Sequence, residues 1–263
     1  MLLSLSTQQQ VSVNRFGSGE PVVFVNGFGS YQEIWHGQIE TVTKANFEAI
    51  TWDFRGQGQS QGQYATTLDQ LSDDLAALIN QLQLAKPILI GHSMGCSVIW
   101  NLRQRHPEIK IKALILVDQS PKMISDPDWP YGFVGINQSN WQTSYAKRPK
   151  VKETLAGFRQ DVFAVFNQAK QAHPFIREKA LPLLKNHVQA DWRATAIAEK
   201  CPTYFISARQ SPYYRFGYGK WVAQSNSQVT EILVPKCGHD IMAEVPDAFN
   251  HTLLNIFTVL RAY

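Results

Sequence analysis

Six short apolar runs leave this chain little choice of architecture. "PVVFV" (21–25), "FEAITWDF" (47–54), "PILIG" (87–91), "KALILVD" (112–118), "PTYFIS" (202–207) and "VTEILVP" (229–235) show almost no polar alternation. Runs of that kind are expected of strands buried on both faces. Amphipathic helical patterns lie between them. In the clearest, 66–84, Leu68, Leu71, Leu75, Leu78, Ile79 and Leu82 share one face, and Thr67 with Gln70 predicts a capping box at its start. "VPDAFNHTLLNIFTVLRAY" at the C-terminal end reads as a second such helix, with Pro246 near its first turn. Two β-rich runs, 2–7 and 11–16, come first. Buried strands alternating with helices predict the α/β class, with a doubly wound, mostly parallel sheet.

The alternation pauses between Asp118 and Cys201. Residues 1–118 and 199–263 are therefore expected to form the core, with 119–198 a helical lid inserted after the Asp118 strand and packed over the carboxyl ends of the sheet. Charge also collects in that segment, with 11 Lys+Arg against 6 Asp+Glu, while the rest of the chain holds 14 against 15. This is too sparse a basic stripe to predict nucleic-acid binding. It reads as a solvated basic face, with an anionic substrate approaching Lys147, Arg148, Lys150 and Lys152 as the alternative. No apolar run approaches the ~18 residues that would suggest a membrane span. The start, "MLLSLSTQQQ", lacks the features of a signal peptide. Three unspaced cysteines, Cys96, Cys201 and Cys237, predict a reducing, cytoplasmic setting rather than a disulfide scaffold. No clustered ligand motif such as His-x-x-x-His or Cys-x-x-Cys occurs, so neither metal nor cofactor is expected. Monomer and homodimer stay open.

The stretch "PILIGHSMGCSVIW" (87–100) runs from an apolar strand through Gly-x-Ser-x-Gly into an apolar helix. It resembles the nucleophile elbow of the α/β-hydrolase family, which implies that Ser93 is a nucleophile on a strained strand-to-helix turn. Further stretches match the same family. "NGFG" (26–29) follows the strand at 21–25, where the family usually carries His-Gly. The resemblance implies oxyanion-hole donors at the backbone N–H groups of Phe28 and Met94; because the donor is main chain, Asn26 in place of histidine leaves that role intact. "WDFRGQGQS" (52–60) resembles a family turn and is read as structural, held by Asp53 and Arg55. "KCGHDIMAEVPDAFN" (236–250) implies that His239 is the general base. His92 is expected to turn away from the serine and pack.

The acid departs from the common pattern. Most members carry an aspartate shortly after the strand at 202–207, where this chain reads "ISARQSPYY" and the aligned residue is Ser211. Of the carboxylates between Ser93 and His239, only Asp118 ends a continuous apolar strand, and it keeps the chain order Ser, Asp, His. "LVDQSP" is similar to the segment from which an esterase branch takes its acid. Asp191 reads as a helix cap or an ion pair with Arg193. A chain with no acid at all is the remaining alternative.

The resemblance implies a serine hydrolase that forms an acyl-enzyme. Nine aromatics of the inserted segment (Trp129, Tyr131, Phe133, Trp141, Tyr145, Phe158, Phe163, Phe166 and Phe175) favour an apolar or aromatic acyl group on a small-molecule carboxylic ester, thioester or lactone. Most are expected to form the lid's own core, with Trp129, Tyr131, Phe133 and Trp141 offered as substrate contacts. Two alternatives stand beside this: a non-catalytic ligand-binding or signalling protein, suggested by Ser211, and a cofactor-free haloperoxidase or C–C bond hydrolase.

Overall fold

A computed structural model describes residues 1–147 and 150–262, so Arg148, Pro149 and Tyr263 lie outside the described residues. The strands are β1 Leu2–Ser4, β2 Gln10–Phe16, β3 Glu20–Val25, β4 Phe47–Trp52, β5 Ile88–His92, β6 Ala113–Val117, β7 Thr203–Ala208 and β8 Val229–Val234. They form one sheet in the order β1-β2-β4-β3-β5-β6-β7-β8. The β1–β2 and β2–β4 pairs are antiparallel, and every pair from β4 to β8 is parallel.

The central strands show why their sequences lack polar alternation. In β5 and β6, Leu89, Leu114 and Leu116 join the core on one face, while Ile88, Ile90, Ala113, Ile115 and Val117 join the core on the other. Helices α2 (Leu68–Gln81), α3 (Met94–Arg105) and α8 (Tyr218–Ala223) cover the first face; α1 (His36–Lys44) and α10 (Pro246–Arg261) cover the second. Burying each such aliphatic side chain contributes roughly 1.5–3 kcal/mol. A polar residue on either face would forfeit that and leave an unpaired group.

Helix ends follow local chemistry. The N-cap Thr67 Oγ1 accepts the Gln70 N–H at 3.3 Å, but the Gln70 side chain accepts from Thr66 N, one residue further back than a capping box requires. Towards the C-terminus the pattern is split. A short α9 (Ile241–Glu244) precedes α10, and Pro246 opens α10 because its missing N–H has no intrahelical partner there anyway.

Between β6 and β7 the chain leaves the sheet. Helical patterning predicted helices throughout, yet residues up to Asn140 are irregular and held by the bridges Ser125↔Asn137 and Asp126↔Trp129. Helices follow: α4 Trp141–Ser144, α5 Gln160–Ala172, α6 Arg177–Gln189 and α7 Arg193–Ala198. The neck closes where Trp192 N–H donates to Pro121 O at 2.8 Å and Lys122 bridges Asp191. Beyond it, α7 packs on α3 and α8 of the core. A second anchor is Glu244, whose carboxylate accepts the N–H groups of Leu155, Ala156 and Gly238 at 2.6–2.7 Å. Among the described residues no helix is long and apolar enough to cross a membrane.

Candidate active site

Ser93 sits alone between the end of β5 and the start of α3, at φ 52° and ψ −124°. A non-glycine residue held there costs on the order of 1–3 kcal/mol, so its surroundings must enforce it. Ser93 N–H donates to Val117 O at 3.0 Å. The two motif glycines allow the approach. A Cβ on Gly91 would meet Ile99 Cδ1 and Cys96 N at 2.7 and 2.8 Å, and one on Gly95 would fall on the carbonyl oxygens of Val25 and Asn26. Only without those carbons can α3 lie this close to β3 and β5, lifting Ser93 clear at the strand end.

One strand over, Asp118 repeats the device at φ 45°. Its N–H donates to Ile206 O at 2.9 Å. Oδ1 accepts Ala208 N–H at 3.0 Å, and Oδ2 accepts both Ser211 Oγ–H at 2.6 Å and His239 Nδ1–H at 2.7 Å. Ser211, at the position where the family usually carries an aspartate, thus donates to the Asp118 carboxylate at the end of the neighbouring strand. His239 is fixed through its N–H to Glu153 O at 2.6 Å, with the rings of His92 and Tyr213 at 4.6 and 4.8 Å. Burial acts to lower the His239 pKa, but the hydrogen bond and charge of Asp118 outweigh it, leaving the imidazole above its ordinary value. That is the electrostatics of a base whose protonated form is stabilised.

His92 does not simply turn away into packing. It lines the cavity beside Ser93, and its Nε2–H donates to the His239 carbonyl at 3.2 Å. Burial, with His239 nearby, holds it well below the ordinary histidine range and therefore neutral. Asp240 packs against this pair, 3.6 Å from His92 Nε2, and burial raises its carboxyl to about 7.

The turn after β3 is pinned by Asn26, which donates to Trp52 O and accepts from Trp35 Nε1, both at 2.9 Å. Asn26 therefore braces the turn that presents Phe28. Met94 is the first residue of α3, where an N–H has no intrahelical acceptor. Asp53 accepts three hydrogen bonds from Gln32 and Gln59, and Arg55 forms a bidentate pair with Asp74, fixing the 52–60 turn beneath.

Ser93, His92, His239 and Phe28 line a cavity of about 980 Å³ roofed by the inserted segment. Of the four aromatics expected to contact substrate, only Phe133 lines it, stacked on Tyr213 at 4.8 Å. Trp129 is fully buried elsewhere, its Nε1–H on Lys122 O and its ring against Tyr131, Trp221 and Arg193. Tyr131 packs on Trp129 and Trp141 lies on α4, both away from the cavity. The expected balance is also reversed, because Phe133, Tyr145, Phe158, Phe163, Phe166 and Phe175 all line it. On α5 only Val162 is buried, so Phe163 and Phe166 of that helix are left facing the cavity. Sequence reasoning missed Tyr213, Tyr214 and His187, which also line the cavity. The "SPYYR" run beside Ser211 was the available signal for the tyrosines. Lys147, Lys170 and Arg177 bring positive charge to the cavity, while Arg148 lies outside the described residues. Asp191 pairs with Arg193 at 2.7 Å, outside the site. Among the described residues, no group of His, Cys, Asp and Glu is placed to hold a metal.

The family model for the alpha/beta hydrolase fold matches residues 20–246, which hold strands β3 to β8 and the segment inserted between β6 and β7. The chain belongs to the alpha/beta hydrolase fold family. Among its relatives is an AB hydrolase superfamily protein, YisY, of Bacillus subtilis, 26% identical over 94% of this chain and 95% of its own length. Another is a pimeloyl-[acyl-carrier protein] methyl ester esterase of Nitrosomonas europaea, 22% identical over 91% of this chain and 96% of its own. Among solved structures, a bromoperoxidase from Bacillus anthracis superposes with a TM-score of 0.81 at 20% identity, covering 98% of this chain and 100% of that one. At that identity the likeness speaks for the fold alone.

Proposed function

We propose that this alpha/beta hydrolase cleaves a small-molecule carboxylic ester through an acyl-enzyme, with Ser93, His239 and Asp118 as its triad. The reading is carried by the shared Asp118 carboxylate, buried and 2.7 Å from His239 Nδ1, at the foot of a cavity that also exposes Ser93. The relative that acts on a methyl ester supports the same bond class.

The steps follow from the arrangement. With Nδ1–H committed to Asp118, His239 Nε2 carries the free lone pair. It takes the Ser93 hydroxyl proton as Oγ attacks the ester carbonyl. Charge on the carbonyl oxygen is met by the N–H groups of Phe28 and Met94. The imidazolium, stabilised by Asp118, passes its proton to the departing alkoxide. A water then repeats the sequence in the same site and releases the acid. The aromatic lining of the cavity fits an apolar or aromatic acyl group, and the inserted segment acts as a lid that limits water.

A fluorophosphonate probe tests the reading, because it labels only an activated serine. Labelling at Ser93 is expected in the wild type and absent in Ser93→Ala, with turnover of p-nitrophenyl esters lost in parallel. An unlabelled, folded wild type would refute the reading.

A further inference from the structure

His187, on the cavity-facing side of α6, has no described role. It is 3% exposed, yet neither ring nitrogen has a hydrogen-bond partner among the described residues, and Nδ1 is fully shielded. The ring lines the same cavity as Ser93 and His239, flanked on its own helix by Leu184 and Val188. A buried polar group left unpaired destabilises a fold, and leucine would fill the position without that penalty. Burial also pushes the imidazole down to about 3, so it stays uncharged at any working pH. It then offers one N–H donor and one acceptor, not a cation. His92, the other neutral histidine of the cavity, has its internal use on the His239 carbonyl; His187 has none. A carboxylate would find its counter-charge at Lys147, Lys170 or Arg177 instead.

We infer that His187 is a specificity-determining residue that hydrogen-bonds an uncharged oxygen, a hydroxyl or ketone, on the otherwise apolar part of the substrate. The preferred ester is then oxygen-substituted rather than plain alkyl or aryl. This rests on the ester-hydrolase reading above and narrows it. With Nδ1 shielded, a ligand oxygen reaching Nε2 would complete the hydrogen bond left open there, and an analogue lacking it would leave that nitrogen unpaired in a dry site, which is the arrangement that discriminates most strongly.

The test compares p-nitrophenyl heptanoate with its keto- and hydroxy-substituted congeners, one for each chain position, by kcat/KM. In the wild type at least one congener is expected to exceed the plain ester by about tenfold or more. In His187→Leu that ratio should fall to about one, whereas His187→Gln, which keeps a neutral donor and acceptor, should retain part of it. Thermal unfolding supplies an independent reading: His187→Leu should melt higher than the wild type, the opposite of what a purely structural histidine would give. If His187→Leu does not fold, His187→Phe carries the same comparison. Probe labelling with no congener preferred overturns this proposal alone, as does a preference that survives in the apolar variants. A wild type that is not labelled overturns the ester reading and this one together.

Discussion

Asp118→Asn is the sharpest perturbation the site offers, because the structure dictates which way the amide must lie. Ala208 N–H points at Oδ1 from 3.0 Å and requires an acceptor there. The asparagine carbonyl therefore takes that place, and its NH2 faces His239 Nδ1, where Oδ2 now accepts at 2.7 Å. Two donors cannot meet, so the imidazole gives up its Nδ1 proton and carries it on Nε2. That nitrogen then has no lone pair for the Ser93 hydroxyl. In a serine protease triad the same change lowers kcat by roughly 10⁴, equivalent to about 5.5 kcal/mol of transition-state stabilisation. A loss of that order is expected here in single-turnover acylation by a p-nitrophenyl ester, with the fold intact by thermal unfolding. The residual activity should shift as well. Wild-type kcat/KM should rise with pH through the raised His239 pKa, since only neutral imidazole is a base. Without the Asp118 charge, only Asp240 and Glu153 still oppose burial, and that limb moves to lower pH. Adding Ser211→Asp to Asp118→Asn should restore part of the rate, because Ser211 Oγ already lies 2.6 Å from the shared oxygen. Near-normal acylation in Asp118→Asn would refute the reasoning outright.

Three further outcomes can be checked together. Ser211→Ala removes one donor from the Asp118 carboxylate and should lower kcat about tenfold, in line with the ~1.5–3 kcal/mol of a hydrogen bond to a charged group, with KM little changed. Asp240→Asn should gain stability as pH rises: the folded carboxyl is raised to about 7, so its contribution is full below the ordinary carboxylate pKa and lost as pH climbs through 7. The shift corresponds to as much as about 4 kcal/mol, and the melting-temperature gap over wild type should be wider at alkaline than at acid pH. Reversing Lys147 and Lys170 to Glu should lower kcat/KM for anionic esters several-fold at low salt and leave neutral esters unaffected, the difference fading as salt screens these exposed charges. Equal responses from both ester classes would mean the basic groups only solvate the rim.

What could be read from the sequence, and what could not, divides by the range of the interactions. Five of the six strands were legible because being covered on both sides erases polar alternation, a local signature; β8, at the sheet edge, is half-exposed and was found by its β-branched run alone. The elbow was legible because its residue spacing is local, although only Gly91 answers to atoms within a few residues; Gly95 answers to Val25 and Asn26 on β3. Asp118 was singled out by its place at the end of an apolar strand, but nothing local announced that Ser211, 93 positions further on, would donate to it. Trp129 and Phe133 look alike in sequence. Their fates separate only in three dimensions, where Trp129 meets Lys122 O and Trp221 while Phe133 meets Tyr213. His92 was misjudged for the same reason, since its partner, the His239 carbonyl, arrives from a loop 147 residues away. The irregular stretch before Asn140 did carry a local signal that went unread, since Pro121, Pro127, Pro130, Gly132 and Gly135 all oppose a helix there.

The proposed placement of the acid at Asp118 follows from the geometry of parallel strands. Val117 of β6 is in register with Ile206 of β7, and Ala208 of β7 with Val234 of β8, so the ends of these strands stand side by side at the foot of the His239 loop. Adjacent strands lie about 4.8 Å apart, well within the reach of a carboxylate, so either β6 or β7 can serve the same imidazole. What the β6 position requires is a backbone that turns the side chain across its neighbour. The left-handed conformation of Asp118 does this, held by its own N–H on Ile206 O and by Ala208 N–H on its carboxylate. Ser93, one strand further on, stands in a positive-φ conformation of its own. Both strained residues thus sit at strand ends braced by neighbouring strands, where a sheet buried on both faces can hold them at a cost of about 1–3 kcal/mol each. With the acid on β6, the β7 position is free to carry a hydroxyl. Ser211 uses it to donate a third hydrogen bond to Asp118, so on the proposed triad a residue that looks like the loss of a catalytic group becomes a support for the carboxylate next to it.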